Sequence, residues 1–499
     1  MTTHHPAPPP PRVVIVGGGL AGLATAATLV DRGLSVTLLE SRPRLGGRAA
    51  SFTDPTTGEL VDNCQHVSMA CCTNLADFCR RTGIAGLFRR EPAVAFLGPD
   101  GRVSTLKAGI APAPLHLGAS FLRANYLGWR DKLRVARGLA RLALDADGGR
   151  SGESFADWLW RHGQNVRTIQ LFWTTVLVSA LNERLDRMDV GMARKVFVDG
   201  FLMNREGFQM EVPAAPLGEL YGLRMESWLR DRGVEVRLAT GVRSVDADDD
   251  GDPRGVTLRT GETVAADFVV LAVPFDRAPG LLAPALRERT PALDALERME
   301  GSPITGVHLW FDRPVCPFDQ VACPGRLLHW VFNHTRIQGR EPREGGEYLQ
   351  IVISASHDLL WMNREMIRDA VLGELAAMWP ASRDAGLLRW RVVVERAATF
   401  APVPGVGALR PPQRTPVDGL FLAGDWTDTG WPATMEGAVR SGYLASQGIL
   451  EDLDRPTRLL QPDLPADRLA GRLLRRRPAL RFAPDFEECA VDPIERRSL

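Results

Sequence analysis

The sequence predicts a fold of α/β plus α+β class, with a Rossmann-like unit interleaved with an antiparallel-sheet and helical layer. Three observations carry that prediction. Residues 12–40 pass from a β-branched run through a glycine-rich turn and an Ala/Leu helix into a second apolar strand, the dimensions of a βαβ unit. Residues 267–274 and 419–424 are apolar almost throughout, as strands buried on both faces are. Residues 300–400 instead hold short strands (305–311, 348–354, 391–397) and one helix (364–379), the style of an α+β layer.

The first unit reads Val13-Val14-Ile15-Val16, then Gly17-Gly18-Gly19-Leu20-Ala21-Gly22, a helix ended by Gly33, and Leu34 to Glu40. Gly17 allows the tight turn, Gly19 lets backbone approach a pyrophosphate, and Gly22 lets helix and strand pack closely. The helix start offers free N–H groups and a positive dipole end to phosphates. Glu40 ends the second strand, where a carboxylate suits the two hydroxyls of an adenosine ribose and repels a 2′-phosphate. Residues 13–30 carry no charge and reach the lower length of a membrane span. Consecutive glycines, a Pro-rich stretch just before and an immediate second strand argue for nucleotide binding instead. Ser41 to Arg48 follows as a turn whose Gly46, Gly47 and Arg48 bring backbone and a cation beside the same pyrophosphate.

Composition narrows the classes. At 499 residues the chain holds two or three domains, and 45% hydrophobic with 24% charged residues is ordinary for a globular protein. Sixty basic and sixty acidic residues cancel, so no bulk charge points to nucleic acid. Residues 1–12 are Pro-rich without a basic n-region, so no signal peptide is expected. Seven cysteines in this length make no disulfide scaffold and point to a reducing cytosol. Cys64, Cys71, Cys72 and Cys79 cluster without a CxxC pair. Their spacing suits a packed helix face better than a metal, and Cys316 and Cys323 suggest no metal either.

Along the rest of the chain, residues 1–11 read as a disordered tail and 74–82 as a helix. Residues 111–146 read as mostly helical, with Arg123, Arg130, Lys132, Arg134, Arg137 and Arg141 set among Leu, Phe, Tyr and Trp. A second aromatic-rich helical stretch covers 155–181, and a helix over 217–232 leads to strands at 234–236 and 240–245. An acidic loop at 246–252 precedes a hairpin, and the chain after 454 is Pro/Arg-rich and reads as peripheral.

A second nucleotide motif lies at 419–442, where Leu420 to Ala423 end in Gly424-Asp425 and a helix begins near Thr434. Asp425 suits a ribityl hydroxyl. The helix start near Met435 suits the N1/C2 carbonyl edge of a flavin, where reduction places negative charge. Together with the GGR turn and the strands at Val242 and 269–274, these motifs resemble the amine oxidase/phytoene desaturase superfamily of FAD flavoproteins over roughly residues 12–450. The resemblance implies FAD, with backbone at Val242 touching adenine and backbone near Met435 meeting the flavin ring. It implies a discontinuous Rossmann-like FAD-binding domain (12–85, 212–282 and 398–453). The antiparallel-sheet and helical substrate domain would be 86–211 and 283–397, and 454–499 a peripheral extension.

Asp62 to His66, Asn204 to Phe208 and Pro216 to Tyr221 look like the squalene-associated, desaturase-like branch. Its best-known activity is hydroxysqualene dehydroxylation, the reductive step to squalene in hopanoid synthesis. Carotenoid desaturases and isomerases are sister branches. An amine oxidase or a non-catalytic flavin-binding scaffold are further alternatives. In dehydroxylation the protein supplies dryness, a shape for an allylic cation, and a proton for the leaving hydroxyl. The family places 62–66 near the flavin, making His66 with Gln65 the candidate proton donor and Glu206 the second acid. Trp426 and Trp431 flank the flavin motif and suit a cavity wall. With no second GxGxxG and no CxxxxC pair, a disulfide-reductase type is disfavoured and the electron donor is unassigned. The resemblance makes neighbouring squalene and hopanoid enzymes candidate partners. A substrate of about thirty carbons barely visits water, at about 0.8 kcal/mol per buried CH₂. The basic, aromatic segment 111–146 is therefore expected to rest monotopically on the inner, cytoplasmic membrane face, with help from Arg472 and Arg475 to Arg477.

Overall fold

The computed structural model describes residues 9–145, 149–150, 152–343 and 345–474. Residues 1–8 of the N-terminal tail and the basic run Arg475 to Arg477 lie outside that description. The β-branched runs pair into one five-stranded parallel sheet in the order Glu235–Arg237, Ser35–Leu39, Arg12–Val16, Phe268–Leu271, Leu420–Leu422. Distant stretches of chain thus meet side by side. Alternate side chains along a strand point to opposite faces. Val13, Ile15 and Val270 join the core beneath Leu20–Val30 and Met435–Asp452. Val14, Val16, Val269 and Leu271 join another core that includes Val245, Val256 and Trp426. Two buried faces are why these segments lack polar alternation.

The α+β layer is a seven-stranded sheet in the order Leu387–Phe400, Gly301–Phe311, Glu347–Ser354, Trp330–Asn333, Gln320–Ala322, Ala93–Leu97, Val103–Lys107. Neighbours are antiparallel except Gln320–Ala322 against Ala93–Leu97. All three strands expected here outrun their sequence limits. Gly301–Phe311 begins four residues earlier than 305 because a register shift between Ser302 and Ile304 absorbs Pro303, which has no N–H for the ladder. The hairpin Ala93–Leu97/Val103–Lys107, which carries no helical or nucleotide signal, extends the sheet from the earlier of the two segments expected to form this layer.

The helical layer is more broken than its composition suggests. Within 111–146 only Gly118–Leu122 and Trp129–Leu144 are helical; Pro112 and Pro114 keep 112–117 in turns, and residue 146 is not described. Phe155–Arg161 stops before Gly163 at φ 72°, and Asn165 caps a new helical run that reaches Leu181. The acidic segment expected before a hairpin is that hairpin's own turn, joining Val242–Ala247 to Pro253–Leu258. The segment after 454, expected to be peripheral, packs back onto the body as far as 474. Leu459 joins the core beside the parallel sheet, and Ala470 is buried with Ala113, Ala143, Val198 and Met203. Its few apolar residues are spaced too irregularly to announce this. Among the described residues no helix is long and apolar enough to cross a membrane.

Candidate functional site

One cavity of about 1430 Å³ runs from the glycine turns of the parallel sheet into the helical layer. Its inner end is built by close backbone approach. A Cβ on Gly17 (φ 115°) would lie 2.4 Å from the Ala272 carbonyl oxygen, and one on Gly22 1.9 Å from the Gly17 oxygen. The second turn leans on the first: Gly46 N–H donates to the Gly18 carbonyl at 2.8 Å, and a Cβ on Gly47 would sit 3.0 Å from Gly19 Cα. The result is a side-chain-free cradle at the start of Leu20–Val30, whose first N–H groups have no partner within the helix. Glu40 is buried on the wall; its carboxylate accepts from Gly18 N–H and Arg42 N–H, both at 2.8 Å. Val242 lines the same end.

Arg48 and Asp425, read separately from the sequence, are joined. Arg48 Nη2 lies 2.5 Å from Asp425 Oδ1 and Nη1 donates to the Ala398 carbonyl at 2.8 Å. Burial pulls the Arg48 guanidinium down, but the charge and hydrogen bond of Asp425 outweigh it and leave it raised. The ion pair therefore locks the GGR turn onto the Gly-Asp turn. Gly424 N–H donates to Ser441 Oγ at 2.8 Å, fixing that turn to the helix behind it.

That helix, Met435–Asp452, is capped by Thr434, whose hydroxyl accepts from Gly437 N–H, and Thr434, Met435 and Glu436 line the cavity. Glu436 does not act there as a free acid. Its carboxylate accepts from Asn74 and Leu75 at the start of Thr73–Arg81, and so caps a second helix. Trp426 is buried and lines the cavity, and its indole N–H donates to the Val273 carbonyl at 2.9 Å. Trp431 is also a wall residue, and among the described residues its buried indole nitrogen has no partner. The turn between them is held by Arg410, buried and donating to the Asp425 and Thr427 carbonyls; burial draws its pKa down to about 10. A lone Arg outside any motif gave no signal for this role.

The catalytic candidates separate. Gln65 and His66 line the cavity. Among the described residues Gln65 Oε1 is buried with no protein partner. His66 Nδ1 lies 2.9 Å from the Cys64 carbonyl, which can only accept, so Nδ1 carries the proton and Nε2 is bare. Burial lowers its pKa, with Arg48 adding to the effect against the Cys64 hydrogen bond, so it stays neutral. Glu206 is corrected outright: it is on an exposed loop 3.7 Å from Arg90, and does not line the cavity. Its loop position beside charged strand ends keeps it in water. Asp62 sits behind the wall, accepting from Ser51 Oγ and Leu217 N–H at 2.5 and 2.9 Å. Sequence reading missed Lys195 and Asp199, which line the cavity as an ion pair at 2.8 Å; their i,i+4 spacing inside an apolar run was the available signal.

Residues 20–450 match the model of the flavin containing amine oxidoreductase family. The chain belongs to that family. It is 30% identical over 459 residues to the tomato (Solanum lycopersicum) 15-cis-phytoene desaturase, covering 87% of this chain and 77% of that protein. To the Arabidopsis thaliana zeta-carotene desaturase it is 28% identical, covering 87% and 84%. A solved oxidoreductase from Methanosarcina mazei has the same fold at a TM-score of 0.67 and 18% identity, covering 88% of this chain and all of that one. The protein is an FAD-dependent oxidoreductase of the amine oxidase/phytoene desaturase superfamily. Its residues fit the coenzyme: the cradle admits no side chain, Glu40 stands on the wall, and Gln65 and a helix start border the deeper end. Gly17, Gly19, Gly22, Gly46 and Gly47 would receive the pyrophosphate, and Gln65 and Met435 the flavin ring.

Proposed function

We propose that this flavoprotein acts on a long isoprenoid chain, most specifically by reductive dehydroxylation of hydroxysqualene to squalene. The single observation behind this is the continuity of the FAD cradle with an apolar tunnel through the helical layer, where Leu139, Phe172, Val176 and Phe201 form wall. FAD, when bound, supplies hydride chemistry at its flavin ring. The chain's own part is to exclude water, hold the chain extended and deliver a proton where the C–O bond breaks. The resemblance of Asp62 to His66 to squalene-associated proteins supports dehydroxylation. A second proposal, desaturation of a carotenoid precursor, is favoured by relatives named for phytoene and zeta-carotene.

Leu115 both lines the tunnel and is exposed, in a segment with further exposed apolar side chains, which supports entry of substrate directly from a bilayer. Leu115, Leu122 and Trp129 are 60%, 68% and 71% exposed, and Arg130 lies over the Trp129 ring at 5.4 Å. Greasy side chains flanked by arginines suit an anionic interface, and we place the protein monotopically on the cytoplasmic face on that ground. The deciding experiment is anaerobic: photoreduce the holoprotein and add hydroxysqualene in detergent. Flavin reoxidation with squalene as product is expected. Bleaching of oxidised protein by phytoene, without reaction of the reduced form, would replace dehydroxylation by desaturation.

A further inference from the structure

The geometry points to Lys195, paired with Asp199, as the acid that protonates the departing hydroxyl; this rests on the dehydroxylation proposed above. Four observations place it. Among the described residues 114–202 that line the cavity, Lys195 and Asp199 carry the only charges, in a wall mostly of Ala, Leu, Val and Phe with a few neutral polar side chains such as Thr175 and Ser179. The pair spans one turn where Val190–Lys195 passes into Val196–Leu202, with Nζ 2.8 Å from Asp199 Oδ2. Nζ stands 4.6 Å over the ring of Trp431, three residues before the cap of the helix that borders the flavin end. The ammonium is therefore held at the deep end of the tunnel. The other candidates are placed differently: His66 has given its one N–H to Cys64, Glu436 caps a helix, Asp425 is paired with Arg48, Asp62 lies behind the wall, and Asp276 and Glu395 line the cavity as exposed carboxylates away from the helical layer.

An unpaired charge in an apolar wall is costly, and the ion pair with Asp199 offsets that cost. The step balances. A proton passes from Nζ to the hydroxyl oxygen, the C–O bond breaks with both electrons on oxygen, and water leaves. The pair missing from the allylic carbon is filled by the hydride of the overall reduction, and neutral Lys195 regains its proton from water. The Trp431 face, already under a cation, is suited to the allylic cation as well.

The test uses photoreduced holoprotein in an anaerobic single turnover with hydroxysqualene, beside a fluorescence titration of the oxidised holoprotein with hydroxysqualene and with squalene. Lys195→Met is expected to slow flavin reoxidation by about 10²-fold or more with FAD content unchanged, the range for a positioned acid. It should also lose the preference for alcohol over hydrocarbon shown by the quenching of tryptophan emission. Lys195→Arg keeps the charge but holds its proton more tightly, so it should keep the binding preference and lose the rate. That variant decides the matter if Lys195→Met fails to retain FAD. Either variant reoxidising within about threefold of wild type overturns the assignment and leaves dehydroxylation standing. Wild-type protein inert to hydroxysqualene would remove the reaction, and this acid with it.

Discussion

Asp62 shows how a motif residue can be structural. It is 3% exposed, and burial raises its carboxyl to about 7 although hydrogen bonds from Ser51 and Leu217 favour the anion. Its ordinary value is 3.8, so between these values the folded chain keeps a proton that the unfolded chain releases. The stability this group contributes is complete below the lower value and is lost as pH rises through the upper one. Asp62→Asn can still accept both hydrogen bonds. Urea midpoints of wild type should therefore fall relative to Asp62→Asn between about pH 4 and pH 7 and level off above that. Parallel pH curves for the two proteins would show that the carboxyl is not held protonated. Glu206, 64% exposed on its side chain, belongs to the opposite class. Glu206→Gln should leave FAD content and single-turnover rate unchanged, as measured by absorbance and flavin reoxidation.

At the scale of elements, the coenzyme site depends on helices packed without side chains between them. A Cβ on Gly442 would lie 2.5 Å from the Ala21 carbonyl oxygen and 3.0 Å from Thr25 N, so Met435–Asp452 rests backbone to backbone on Leu20–Val30. Both helices begin at the cavity, and separating them moves one phosphate-facing end against the other. Gly442→Ala should cost about 1–3 kcal/mol, the usual range for overpacking, read from urea unfolding. It should also weaken FAD retention on gel filtration. An unaltered midpoint would mean that the two helices give way freely. Arg410 makes a parallel case for a loop. Removing its guanidinium orphans the Asp425 and Thr427 carbonyls, so Arg410→Met should release FAD while far-UV dichroism keeps its shape.

For the molecule as a whole, the two sheets and the helical layer make one passage from a rim at the exposed Leu115 to a dinucleotide cradle. The segment 454–474 helps to close it, with Leu474 on the wall and Asp467 N–H bound to the Met203 carbonyl at 2.9 Å. If the rim meets a bilayer, its apolar tips should matter more than its net charge. Leu122→Glu with Trp129→Glu should abolish flotation with anionic liposomes while leaving FAD content intact. Flotation equal to wild type would place the membrane face elsewhere. Arg134 is a weak choice for that test, because it is already tied to Asp131 at 3.3 Å.

The FAD cradle was legible in the chain because its physics is local. Gly17, Gly19 and Gly22 act within a single turn, and strands buried on both faces announce themselves by continuous apolar runs. The discontinuous parallel sheet followed from those same runs at 13–16, 269–274 and 419–424. Which polar groups face the cavity was a tertiary matter. His66 and Gln65 reach the wall while Asp62, a few residues away, turns behind it. Glu206 shares a motif with Phe208, yet only the latter lines the cavity. Lys195 and Asp199 matter because an apolar wall forms around them and Trp431 arrives from 236 residues later in the chain. A short-range pattern fixes backbone shape through steric and hydrogen-bonding rules that act over a few residues. The neighbours that tune a charge are chosen by packing, and packing joins segments with no sequence relation to one another.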